Sequence, residues 1–223
     1  MATSKPLWAA CLALALGGCR PPQPPPDREA GACEGVRWQA MPDEAMSPSI
    51  HATESLAWLA FPGVGSPAQG DIVVFKVGNT ESDVHVSRIV AVGPSEVSFA
   101  DHLMIQSDGD FKHTPVENPC VGCRTCDAEA AGAAPPCAVF VESTQGRAGW
   151  RVQRVEAGEG AAIGQGRWTV PAGHVFVAGD NRVMSQDSRA GPPGIGRPLP
   201  VEALLGRVVG VEREGRCMDV DET

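Results

Sequence analysis

The segment "DEAMSPSIHA", residues 43–52, has the frame of a serine-nucleophile box: Met46, a variable residue, Pro48 and Ser49, then the apolar Ile50. The position just before Met46 is Ala45, which has no oxygen with which to attack a carbonyl. Amide hydrolysis needs a hydroxyl activated by a neighbouring base, and donors where the oxyanion develops. The hydroxyl inside the frame is Ser47, and the imidazole of His85 is an available base, so the pair could in principle act as nucleophile and general base. Lys76 closes the run "DIVVFK" and reads as a solvated strand end rather than a base. His51, His102, His113 and His174 read as surface or turn histidines without partners.

Cysteines form the second chemical group: Cys33, Cys120, Cys123, Cys126, Cys137 and Cys217. The cluster "CVGCRTC" with Cys137 beyond it could hold zinc, and its spacing resembles part of an iron–sulfur motif without the fourth ligand in place. An even number of thiols in an exported chain favours disulfides instead, so no cofactor is expected. The pairing is open; a bridge from Cys33 to Cys217 would close the two ends of the domain.

Strands must position these residues. Runs rich in β-branched side chains, bounded by Gly, Pro and Asp, predict strands at 71–77, 84–92, 102–107, 138–143, 150–156, 173–179 and 204–213. The run "ESLAWLAFPG" reads as a short helix or an irregular turn. Residues 108–137 are polar, rich in Gly, Pro and Cys, and read as a stapled insertion. The expected fold is mainly β, an antiparallel sheet domain carrying that Cys-rich insertion. The chain has 223 residues and a net charge of −9, with no basic stripe, which argues against a nucleic-acid partner.

The N-terminus, "MATSKPLWAACLALALGGC", carries a short apolar run suited to an export leader and too short to span a bilayer. "LGGC" resembles the lipobox of bacterial lipoproteins, in which the leader is cut before the cysteine and that cysteine, here Cys19, is acylated; an ordinary secretory leader is the other reading. "RPPQPPPDREAGA" reads as a semi-rigid polyproline tether. The expected organisation is a leader at 1–18, a lipidated cysteine and tether at 19–35, the folded domain at 36–215 with its insertion at 108–137, and a tail at 216–223.

Three segments together resemble the type I signal peptidases, membrane-associated endopeptidases that remove export leaders with a Ser–Lys dyad. "AMSPSI" is similar to their Ser-Met-x-Pro-Thr-Leu box and is followed by "GDIVVFK". "VSRIVAVGPSEV" resembles their Lys-Arg-Val strand and turn. "VPAGHVFVAGDNRVMSQDSRAGPPGIG", followed by "LLGRVV", resembles their long C-terminal box. The resemblance spans roughly residues 38–213 and implies a signal-peptidase-like antiparallel β domain.

Carried over residue by residue, the family nucleophile falls on Ala45 and the family lysine on Ser87. The residue two before the nucleophile, often Ser or Gly in the family, is Asp43, whose carboxylate would repel an oxyanion if it turned inward. The supporting shell persists: Gly179, Asp180 and Asn181 match the Gly-Asp-Asn turn, Ser185 the serine that orients the lysine, and Asp187 with Arg189 the structural ion pair. The resemblance thus implies a lipoprotein lacking both dyad residues, with a peptide or preprotein segment as partner. Its expected place is the cell envelope, lipid-anchored and facing the periplasm, with the outer membrane favoured by Arg20 after the lipid cysteine. Two alternatives stand beside a silent binding or scaffolding role: an endopeptidase working through Ser47 and His85 or completed by a partner, and a disulfide-stapled structural lipoprotein.

Overall fold

The computed structural model describes residues 33, 35–78, 84–100, 103–107, 111–116, 137–144, 149–155, 165–190, 195–213 and 215–220. In chain order the strands are β1 (Arg37–Ala40), β2 (Ser55–Ala60), β3 (Ile72–Lys76), β4 (Val84–Val92), β5 (Ser95–Ala100), β6 (Leu103–Ser107) and β7 (Lys112–Pro115). They continue with β8 (Cys137–Ser143), β9 (Trp150–Val155), β10 (Gly166–Val170), β11 (His174–Ala178), β12 (Leu199–Pro200), β13 (Leu204–Arg213) and β14 (Arg216–Met218). A 3₁₀ turn, Val201–Ala203, precedes β13. Among the described residues no helix is long and apolar enough to cross a membrane.

The main sheet runs β1-β2-β13-β3-β4-β11-β12, with β14 paired to β13, and two three-stranded sheets, β10-β5-β6 and β7-β8-β9, accompany it. All these pairings are antiparallel. β13 shows why its sequence suits a central strand: Leu204, Gly206, Val208 and Gly210 alternate inward, as the two-residue period requires. Gly206 must lack a side chain there, since a Cβ would run into the Leu59 carbonyl and the Trp58 ring. Three apolar clusters fill the interior. One joins Met46, Ile50, Leu56, Trp58, Val74 and Val211. Another holds Phe99, Met104, Trp150 and Phe176, and the third holds Phe75, Ile89, Val177 and Leu199.

The seven expected strands are all present and antiparallel pairing prevails. One local reading is corrected: "SLAWLA" is β2, not a helix or turn. Its Ala and Leu favour helix locally, but pairing on both sides, to β1 and β13, and burial of Leu56, Ala57 and Trp58 override that preference. β7 also lies inside the stretch read as a stapled insertion, because β8 supplies its ladder. β1, β5, β10, β12 and β14 were not among the expected strands. Cys33 and Cys217 form a disulfide with Cα atoms 6.5 Å apart. Cys19, His102, Cys120, Cys123 and Cys126 lie outside the described residues, and of Cys137 only the strand position is described.

Candidate functional site

The box at residues 43–52 is a turn pinned from below. Met46 and Ile50 are fully buried in the first apolar cluster, and the Ile50 N–H donates to the Met46 carbonyl at 3.0 Å. The Ser47–Pro48 peptide is cis. This anchoring holds Ala45 at the surface of the core, 8% exposed. Its amide is not free: the Ala45 N–H donates to Asp43 Oδ1 at 2.9 Å. Its carbonyl accepts from the Asn181 N–H at 3.0 Å.

Asn181 belongs to the Gly-Asp-Asn turn that follows β11. A Cβ at Gly179 would overlap both the Ser185 side chain and the Ala45 carbonyl, so glycine is what lets the two segments touch. The Gly179 N–H donates to Asp187 Oδ2 at 2.9 Å, and Arg189 forks onto the same carboxylate at 2.9 and 2.6 Å. Burial opposes ionisation of Asp187, but the Arg189 charge and these hydrogen bonds outweigh it and hold its pKa below the ordinary value. Asp180 is also buried; it accepts from Arg88 Nε and Nη2 at 2.9 and 2.7 Å and from the Ser49 hydroxyl at 2.6 Å. Ser49 thus ties the box to the turn through Asp180.

Ser87 is buried on β4 opposite Val73 of β3. On the other side β4 pairs with β11 from Val92 back to Arg88, which faces Ala178. Ala45 and Ser185 meet at Gly179, and β4 reaches the same turn through the Arg88–Asp180 ion pair. Beyond that point Val84–Ser87 pair with β3 alone among the described residues, leaving the opposite backbone edge of β4 unpaired.

The two alternative candidates, Ser47 and His85, are not brought together. The Ser47 hydroxyl lies 3.3 Å from His51 Nδ1, not against His85. His85 stacks instead on Phe75, with ring centroids 5.6 Å apart. His51 is therefore not a partnerless surface residue; its Nδ1 also faces Glu44 Oε2 at 3.6 Å. Serine and acid meet the same imidazole nitrogen, whereas a relay needs the serine on one and the acid on the other. Ser47 is also fully buried, closed to a macromolecular substrate. Lys76 sits half-buried at the end of β3, and His174 Nδ1 contacts the Ala172 carbonyl in a turn.

His113 too has a partner, a carboxylate that the pattern of "AVFVES" concealed. Glu142 on β8 is fully buried and accepts from the Met104 N–H at 2.9 Å and Trp150 Nε1 at 3.1 Å, beside His113 Nε2 at 3.2 Å. Arg182, next to Asn181, completes the set with a close ion pair to Glu142. Burial would raise the Glu142 pKa, but Arg182 and these donors outweigh it and hold it below the ordinary value. Burial in turn lowers the Arg182 pKa. A lone acid in an otherwise apolar strand was the available signal for this node.

A polar cleft of about 530 Å³ is lined by Ser49, Asp71, Arg88, Trp150, Arg207 and Asp219, among others; Ala45 and Ser87 do not line it. Among the described residues no group of three or more His, Cys, Asp or Glu side chains could hold a metal ion.

A family model described as "Signal peptidase, peptidase S26" matches residues 36–211. A signal peptidase I of Pseudomonas fluorescens is 27% identical over 155 residues, 66% of this chain and 50% of that protein. A signal peptidase I of Pseudomonas aeruginosa is 27% identical over 129 residues, 56% of this chain and 40% of that protein. The chain thus spans half or less of the length of these curated relatives. A solved signal peptidase I from Enterococcus faecalis is similar at 17% identity and a TM-score of 0.32, over 65% of this chain and 97% of that one.

Proposed function

The chain belongs to the signal peptidase, peptidase S26, family, and we propose that it is a catalytically silent member that holds an extended peptide along the edge of β4 without cutting it. The observation that carries this reading is the state of residue 45. The position has no oxygen, and its amide N–H, a natural oxyanion donor, is already occupied by the Asp43 carboxylate. Ser87 supplies no base at neutral pH. A developing oxyanion would meet a negative charge where a hydrolase offers a donor.

Peptide binding is supported by the edge of β4 at Val84–Val86, which pairs with β3 alone among the described residues. An extended chain can add to such an edge through main-chain hydrogen bonds, with alternate side chains giving selectivity. The chain would work at the cell envelope, carried on Cys19 by acyl groups and facing the periplasm, with a preprotein or processed protein segment as its partner.

The test is to incubate the purified chain with a preprotein and with an internally quenched leader peptide. Saturable binding without cleavage is the expected result. Cleavage abolished by Ser47→Ala would overturn the silent reading, and absence of any peptide binding would favour a purely structural lipoprotein.

A further inference from the structure

We propose that the polar cleft lined from β3, β4, β9 and β13 binds a small organic anion, a carboxylate or phosphate group on an apolar body. Its volume, about 530 Å³, falls within the roughly 300–1,000 Å³ that small organic ligands occupy. Val84–Val86 do not line it, so the site is additional to the β4 edge that takes the peptide. Its wall carries two kinds of surface. Ile72, Val208 and Val220 are apolar and Trp150 adds an aromatic ring, while Arg88, Arg151 and Arg207 bring guanidinium groups.

The hydrogen-bonding groups left uncommitted set the sign of the ligand. Arg88 is spent: its Nε and Nη2 donate to Asp180, and its Nη1 donates to the Gly70 carbonyl at 2.8 Å. Arg207 is half-buried, yet the acid it faces, Asp71 Oδ1, lies 3.7 Å from its Nη1, beyond hydrogen-bond reach. The exposed Arg151 guanidinium makes no ion pair or hydrogen bond among the described residues. The acids are better occupied. Asp71 Oδ2 accepts from the Ala68 N–H at 2.8 Å, and Asp219 has an interaction of its own. Donors therefore exceed acceptors in this cleft, against the chain's net charge of −9.

Arginine presents a planar fork of N–H donors that matches the oxygens of a carboxylate or a phosphate. An inorganic ion would leave the rest of the cleft to water. An apolar body fills it against Ile72, Val208 and Val220 and removes apolar surface from water on both partners. Trp150 is set in place before a ligand arrives. Its Nε1 donates to Glu142 Oε2 at 3.1 Å, and the Arg88 guanidinium lies over its ring, 5.3 Å from the centroid. The ligand is thus an amphiphilic anion, with its charged end on Arg151 and Arg207 and its body on the apolar wall.

Four probes test this by calorimetric titration of the full chain: phenylacetate, benzyl phosphate, the uncharged phenylacetamide and inorganic phosphate. The tighter of the two aromatic anions should bind about tenfold more tightly than the amide and than inorganic phosphate, as charge-assisted hydrogen bonds allow. That anion also identifies the head group. Arg207→Gln should cut its advantage over the amide to within about threefold. Arg151→Gln should weaken the anion by about twofold to fivefold, the smaller effect expected of an exposed charge. The Arg151 guanidinium holds no other described residue, so this variant folds even if loss of Arg207 disturbs β13. An amide that binds as tightly as the anions would overturn the proposal, as would inorganic phosphate that matches them. An advantage that survives both substitutions would put the anion elsewhere on the chain and overturn it too. So would the failure of all four probes to bind.

Discussion

An Ala45→Ser variant regains the missing oxygen but gains neither a base nor a free donor, because Ser87 and the Asp43–Ala45 hydrogen bond are unchanged. It should show no turnover of a quenched leader peptide. Asp43→Ser, Ala45→Ser and Ser87→Lys combined would restore all three elements, with a positioned base contributing about 10²–10⁴ in rate and an oxyanion donor about 10²–10³. Measurable cleavage should appear only in that combination; turnover by Ala45→Ser alone would mean that another group already serves as base. Gly179→Ala tests the contact at which Ala45 and Ser185 meet. The new Cβ meets the Ala45 carbonyl, which is backbone and cannot swing aside, so the variant should lose about 1–3 kcal/mol in urea unfolding. Adding Ser185→Ala removes only the Oγ contact, leaving the Ser185 Cβ and the Ala45 carbonyl in place, and should recover little. That residues 45 and 87 carry Ala and Ser was readable from the sequence alone. The hydrogen bonds from Ala45 to Asp43 and from Ser47 towards His51 were not, because they exist only once the turn closes.

Strand β8 ties the smaller β7-β8-β9 sheet to the Gly-Asp-Asn turn through Glu142 and Arg182. Glu142→Gln leaves a buried guanidinium without its counter-charge and should cost about 3–5 kcal/mol, read as a lowered urea midpoint at neutral pH. The same node governs acid sensitivity. Glu142 and Asp187 are held below their ordinary pKa values when folded, so they release protons that the unfolded chain still binds. The stabilisation is present above the ordinary carboxylate range and fades as pH falls through about 4 and below. Glu142→Gln should therefore flatten the acid limb of a stability–pH curve, and an unchanged limb would contradict the assignment. Strands such as "VHVSRIVAV" were legible because β-branched runs announce themselves locally. β2 and β7 were not, since their partners β13 and β8 stand far away in sequence and only pairing selects the extended state. Glu142 was missed for the same reason, as its donors come from four separate segments.

Among the described residues the buried charges come in balance: Arg88 with Asp180, Arg189 with Asp187 and Arg182 with Glu142. Around them the chain closes through Cys33–Cys217, a link spanning a sequence separation of 184. Tying so long a loop restricts the unfolded chain and stabilises the fold by about 2–5 kcal/mol. Cys217→Ser, or a reductant, should lower the melting temperature of the purified chain, and an identical melt would show that the bridge adds nothing. Gly210 belongs to this feature, since a Cβ there would press on Cys217 Sγ at 2.7 Å and on the Met218 carbonyl at 2.9 Å. The bridge also decides where tension goes. A pull on the chain ahead of residue 33 would, without the link, reach β1 first, a four-residue strand paired on one side and open to being unzipped. With the link, the load passes through sulfur into β14 and on to β13, which is clamped between β2 and β3 and must be sheared rather than peeled.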